Sequence, residues 1–216
     1  MLTAADVPTM PRTTKLALAA ALIIGLLGFS NAGVYALSAN AVGTGTLVAW
    51  LSDVGLEAWI RGEIELAGTD VVGDETVSFS ARGTFLGFGV RRFASFVSEG
   101  WIGYEASGDA ADGQPIEIRG LLYARRESLV PLQSGAVLAG SHRGAIRFRD
   151  EEFPFCGAFS GTVEGGLEPA ETWGTIQLGG TGTAHLGEGP SAPVPLDHPT
   201  LPAEFIEYVA RLDLGL

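Results

Sequence analysis

Between residues 43 and 186 apolar and polar side chains alternate with a period of two, which is the pattern of β-strands that bury one face. Residues 59–66 show it best. Ile60, Ile64 and Leu66 share a face with Gly62, while Arg61, Glu63 and Glu65 share the other with Trp59. Further along, Val77, Phe79 and Ala81 oppose Thr76, Ser78, Ser80 and Arg82, and Ile116, Ile118 and Leu122 oppose Glu117, Arg119 and Tyr123. Ile146 and Phe148 oppose Arg147 and Arg149, and the alternation continues more weakly around 159–164, 173–178 and 183–186. Turn signals separate these runs: Gly73-Asp74, Ser107-Gly108-Asp109, Asp112-Gly113, Gly165-Gly166 and Gly179-Gly180. Their spacing predicts about nine to eleven short antiparallel strands. Of 31 glycines, 28 follow Val42, many within strand patterns, and residues 85–89 interleave large and absent side chains. Such strands bend sharply, so the pattern predicts an all-β fold, either a single glycine-rich antiparallel barrel or a closed β-sandwich.

The flanks behave differently. Arg12 and Lys15 precede an uncharged run at 16–29, LALAAALIIGLLGF, followed by Ser30-Asn31 and by small residues ending in Ala39-Asn40-Ala41. That order is a signal peptide's, with cleavage before Val42. Extending the apolar stretch through 37 gives 22 residues, enough for an uncleaved membrane anchor. In either reading an N-terminal apolar helix engages the translocon or the membrane, and the remainder is exported to the periplasm, the cell surface or the medium. Met10 offers a second start within the same pattern. Residues 187–202 hold five prolines and no periodicity, which reads as an extended strap. Residues 203–216 then form a short amphipathic helix, with Phe205, Val209 and Leu212 on one stripe. The organisation is therefore a leader or anchor at 1–41, a β-domain at 42–186, the strap and the closing helix.

Composition narrows the function. With 46% hydrophobic and 18% charged residues the chain is neither disordered nor collagenous. Its net charge of -12 has the wrong sign for a phosphate backbone, so nucleic acid is not its partner. Beyond residue 41 there are 24 acidic residues and 11 basic ones, all arginine, for a net charge of -13. A single cysteine supplies neither an internal disulfide nor a zinc site.

No motif specifies a reaction. Cys156, among Phe153, Phe155 and Phe159, has no neighbouring base and reads as a buried, inert thiol. His142, His185 and His198 lack the close spacing of metal ligands. Asp197-His198 with Ser160 suggests part of a hydrolytic triad, but the Gly-x-Ser-x-Gly elbow is missing. Gly187-Glu188-Gly189-Pro190-Ser191-Ala192 matches a dinucleotide fingerprint only on paper, because proline follows the second glycine. The candidate ligand-binding residues are Trp59, Trp101 and Trp173, whose flat rings stack on apolar ligand faces, and Arg91, Arg125 and Arg147, which can gather at a sheet end as an anion site. The expectation is an exported envelope or extracellular β-domain that acts as a binding or structural module, with no cofactor or metal and with a small apolar ligand or an envelope protein as partner. Alternatives are a hollow, lipocalin-like barrel carrying such a ligand, a small outer-membrane barrel, and a hydrolase.

Overall fold

The computed structural model describes residues 37–53, 55–72, 75–92, 94–95, 97–127, 136–166, 175–187 and 193–214. The expected N-terminal helix, at 1–36, and residues 188–192 of the strap lie outside the described residues. Eight antiparallel strands follow one another: β1 (Ser38–Leu51), β2 (Gly55–Val72), β3 (Glu75–Arg92), β4 (Val97–Ala110), β5 (Pro115–Glu127), β6 (Ala136–Phe148), β7 (Glu151–Gly166) and β8 (Thr175–Gly187). Each pairs with the next, and β8 returns to β1, so one sheet closes into a ring. Helix α1 (Ala203–Arg211) comes after the strap.

The fold is all-β, but its strands are fewer and longer than the turn signals suggest, each 13 to 18 residues rather than short. Glycine explains the difference. Asp112-Gly113 does turn the chain, with Gly113 at φ 79°, whereas Gly108 lies inside β4 and Gly179-Gly180 inside β8. A Cβ on Gly108 would stand 1.9 Å from the carbonyl oxygen of Ser80. Glycine there permits close approach of two strands rather than a reversal.

Stepping round the ring through directly paired residues, from Ala49 by way of Gly100 and Phe159, leads back to β1 at Ala39, ten residues from the start. Eight strands with that offset tilt by about 40° and leave an interior just wide enough for side chains or one small ligand. Several large inward side chains have glycine across one flank, so that even Phe85 and Tyr104, which are paired with each other, each find room. Phe85 pairs with Gly62, Tyr104 with Gly120, Phe155 with Gly144, Phe159 with Gly140 and His142 with Gly157. In each pair the ring occupies the glycine's missing side-chain volume, since a Cβ on the glycine would lie within 2.4 to 2.9 Å of a ring atom.

The outer face is charged over much of its area but carries one apolar band. Trp59, Phe88, Trp101 and Tyr123 are direct neighbours across β2 to β5. The strap and α1 cover them. Phe205, Val209 and Leu212, the stripe expected of the helix, are buried with Val194 against this band, and the Trp101 indole N–H donates to the Pro195 carbonyl at 3.0 Å.

A domain boundary before Val42 falls within β1. Leu37, Ala39 and Ala41 are core residues, and residues 38–41 pair with 66–69 of β2 while 39–41 pair with 184–186 of β8. A chain beginning at Leu37 is expected to unfold in one cooperative transition, and one beginning at Val42 to lose more than about 4 kcal/mol, a comparison that denaturant unfolding makes directly. Gly120→Ala should cost about 1–3 kcal/mol by overpacking against Tyr104. Adding Tyr104→Ala in the same chain should return part of that loss, as a double-mutant cycle measures.

Candidate functional site

Inward-facing residues divide into two halves along the ring. Toward the hairpins that join β2 to β3, β4 to β5 and β6 to β7, the interior is full: Leu66, Phe79, Ile116, Ile118, Ile146 and Phe148 are all buried. Toward the opposite end, Leu47, Ile60, Phe85, Ile102, Ala124 and Leu138 also face inward but are only partly buried. The walls there are thin. A Cβ on Gly89 or Gly100 would meet nothing nearer than a single carbonyl oxygen at 3.6 or 3.9 Å.

At the boundary between the halves sit Tyr104, Leu122, His142 and Phe159, all buried. The Tyr104 hydroxyl has no hydrogen-bond partner, and burial raises its pKa above the usual tyrosine range, so it stays protonated. The His142 ring is held neutral, because burial lowers its pKa more than the Gly187 carbonyl raises it. Its Nε2 lies 2.9 Å from that carbonyl oxygen. A carbonyl only accepts, so Nε2 carries the proton and Nδ1 is a bare acceptor, which is unpartnered. The boundary layer therefore holds one free donor and one free acceptor in apolar surroundings. Among the described residues such buried, unpaired polar atoms are otherwise found on Asp70 alone.

The residues proposed from sequence are not brought together. Trp59 and Trp101 belong to the outer band beneath the strap, and Trp173 lies outside the described residues. Arg91 is at the rim of the open half, its Nη1 donating to Ser98 Oγ at 3.2 Å. Arg125 is exposed on the outer face of β5 at the same end, and Arg147 is at the other end, 3.7 Å from Glu117. The three histidines occupy three separate surroundings: His142 the interior, His185 the outer face of β8 and His198 the strap. Cys156 is exposed rather than buried, because β7 turns Phe153, Phe155 and Phe159 inward and the thiol outward.

Ser160 stands directly across from His185, whose Nδ1 lies 3.1 Å from Asn40 Oδ1, beside a groove of about 370 Å³. These residues lie in paired stretches of β7, β8 and β1, where the sheet ladder consumes backbone N–H groups that an oxyanion would need. His198 pairs with Glu99 rather than with Asp197. Its Nε2 is 3.3 Å from Glu99 Oε2, with the two side chains 12% and 8% exposed. Arg92 joins both, at 3.6 Å from Glu99 and in contact with the His198 ring. Tyr123 donates its hydroxyl to Glu99 at 2.9 Å, and burial together with that carboxylate pushes the phenol up to about 12. His198 Nδ1 is 2.8 Å from Thr200 Oγ1. This cluster fixes the strap on the ring.

The comparisons with known proteins are negative: no protein-family model, curated protein or solved structure matches the chain. Among the described residues there is no group of three or more His, Cys, Asp or Glu side chains placed to hold a metal ion.

Sequence reasoning passed over Tyr104 and Glu99 and weighed His142 only as a metal ligand. His142 had a signal, since the alternation of Ile146 and Phe148 runs back through Gly144 to it. Tyr104 and Glu99 had none, because their partners are distant in the chain. Asp70, the remaining unpaired group, is fully buried near the filled end. Burial raises its pKa to about 6 against a smaller opposing effect of the Val71 amide. The unfolded chain ionises this group at lower pH than the fold does, so stability falls as pH rises from about 4 to about 6 and is flat above. Asp70→Asn should gain about 2–3 kcal/mol at pH 7. Thermal unfolding across that range should show the gain vanishing by pH 4.

Proposed function

We propose that this chain is an exported binding module that takes a small, largely apolar molecule into the open half of its ring. The observation that carries the reading is the partial exposure of Leu47, Ile60, Phe85, Ile102, Ala124 and Leu138 on a face that points inward. Apolar area left unfilled forfeits about 25 cal/mol per Å², and concave apolar walls with a few polar groups are the usual make-up of a small-molecule site. A hollow barrel of this kind needs no catalytic group.

The outer face favours a ring in water over an outer-membrane barrel. Arg61, Glu63, Glu65, Arg82, Glu105 and Glu117 are exposed there, whereas a lipid-facing surface is an apolar band. Export is supported by the basic, apolar and small-residue order of 12–41. Burial of Leu37, Ala39 and Ala41 favours removal of the leader at or before Ala36, where Val34-Tyr35-Ala36 ends on a small residue, or its retention as an anchor, over cleavage before Val42. Among the described residues no helix is long and apolar enough to cross a membrane.

Protein purified from its own host without detergent should carry an organic-extractable molecule in native mass spectrometry. After its removal, the ring should take up the neutral fluorophore N-phenyl-1-naphthylamine to saturation. Gly100→Leu, which places a side chain in the open half, should abolish uptake while the far-ultraviolet spectrum stays unchanged. Absence of both the adduct and saturable uptake overturns the proposal.

A further inference from the structure

Resting on that reading, we infer that the ligand is a neutral, mostly apolar molecule bearing a hydroxyl group, which Tyr104 and His142 bind between them. The two residues belong to neighbouring rows of the ring on either side of β5: Tyr104 pairs with Gly120 and His142 with Leu122. Both side chains are fully buried, and the Tyr104 hydroxyl and His142 Nδ1 lack partners. Leaving a polar atom buried and unpaired costs about 1–3 kcal/mol, and two residues in adjacent rows at the edge of the partly buried half each carry one.

Their chemistry is complementary in a specific way. The Gly187 carbonyl holds the proton of His142 on Nε2, so Nδ1 can only accept, while the tyrosine hydroxyl is free to donate. A hydroxyl oxygen accepts from Tyr104 and its hydrogen goes to His142. An ether, ester or ketone satisfies Tyr104 but presents no hydrogen to Nδ1. A carboxylate is disfavoured, because it too lacks that hydrogen and would bury a charge in the boundary layer. Leu122, 8% exposed and directly opposite His142, is the side chain that the entering hydroxyl displaces.

Two isomers of the same heavy-atom count test this: octan-1-ol and 1-methoxyheptane, titrated calorimetrically into ligand-stripped full-length protein. A plain apolar cavity prefers the ether, because the alcohol gives up more hydrogen bonding to water. The wild type is expected to prefer the alcohol by about tenfold. His142→Phe should reverse the preference and leave ether affinity within about twofold, which also shows that the variant folds. Tyr104→Phe should weaken both ligands. Independently of any variant, the Nδ1 nitrogen-15 resonance of His142 should move on adding octan-1-ol and not on adding the ether. Ether binding equal to or tighter than alcohol binding in the wild type, or an unmoved Nδ1 resonance, overturns the inference and leaves the cavity standing. Binding of neither isomer, together with no uptake of N-phenyl-1-naphthylamine, overturns both.

Discussion

The structure depends on how little room eight strands leave inside a closed ring. Several of the large rings that point inward find a neighbour without a side chain across one pairing. A single row of paired positions runs Gly45, Gly62, Phe85, Tyr104, Gly120, Gly144, Phe155, two glycines beside two rings and then two glycines beside one, around seven strands. Glycine in a strand costs about 0.5–1 kcal/mol relative to alanine, and the burial of an aromatic side chain, with 150–250 Å² of surface, more than offsets it. Past the boundary layer the arrangement stops. Gly89 and Gly100 are paired with each other, with no ring lying over either. At these two positions the space a side chain would take is left open on the inner face of the ring.

The outer face poses the reverse problem. Trp59, Phe88, Trp101 and Tyr123 form an apolar band on a surface otherwise lined with charge, and a band of that kind exposed to water invites association. The C-terminal segment covers it, and the cluster of Glu99, Arg92, His198 and Tyr123 holds the cover in place. A carboxylate as enclosed as that of Glu99 is tolerable only when paired and hydrogen-bonded. One acid satisfied by three partners therefore ties the strap to β3, β4 and β5.

Much of the fold could be read from period two, and what escaped has a physical cause. The alternation in 59–66 separates Ile60, Ile64 and Leu66 from Trp59 and the charges correctly, but alternation alone does not say that a second apolar layer covers Trp59. Gly108 and Gly179-Gly180 read as turns because a glycine that lets strands approach and a glycine that reverses the chain are the same letter. Cys156 reads as buried because its neighbours are aromatic, although in a strand the immediate neighbours face the opposite side. The candidate site was the least legible part. Trp59, Trp101 and the arginines are conspicuous residue types, whereas Tyr104 and His142 matter only through what is missing around them. Glu99 and His198 meet only in the folded chain, where the acid adjacent to His198, Asp197, is not its partner.

Closure of the ring joins its first strand to its last: residues 39–50 pair with 175–186. Until β8 exists, β1 keeps an unpaired edge and the interior has no wall on that side. A growing chain therefore cannot seal its core early, since the final strand lies in the last fifth of the sequence. Non-local closure of this kind folds slowly. Folding that waits for the last strand leaves the interior unsealed for as long as the chain is being made, and the order of strands sets the moment at which the ring can close.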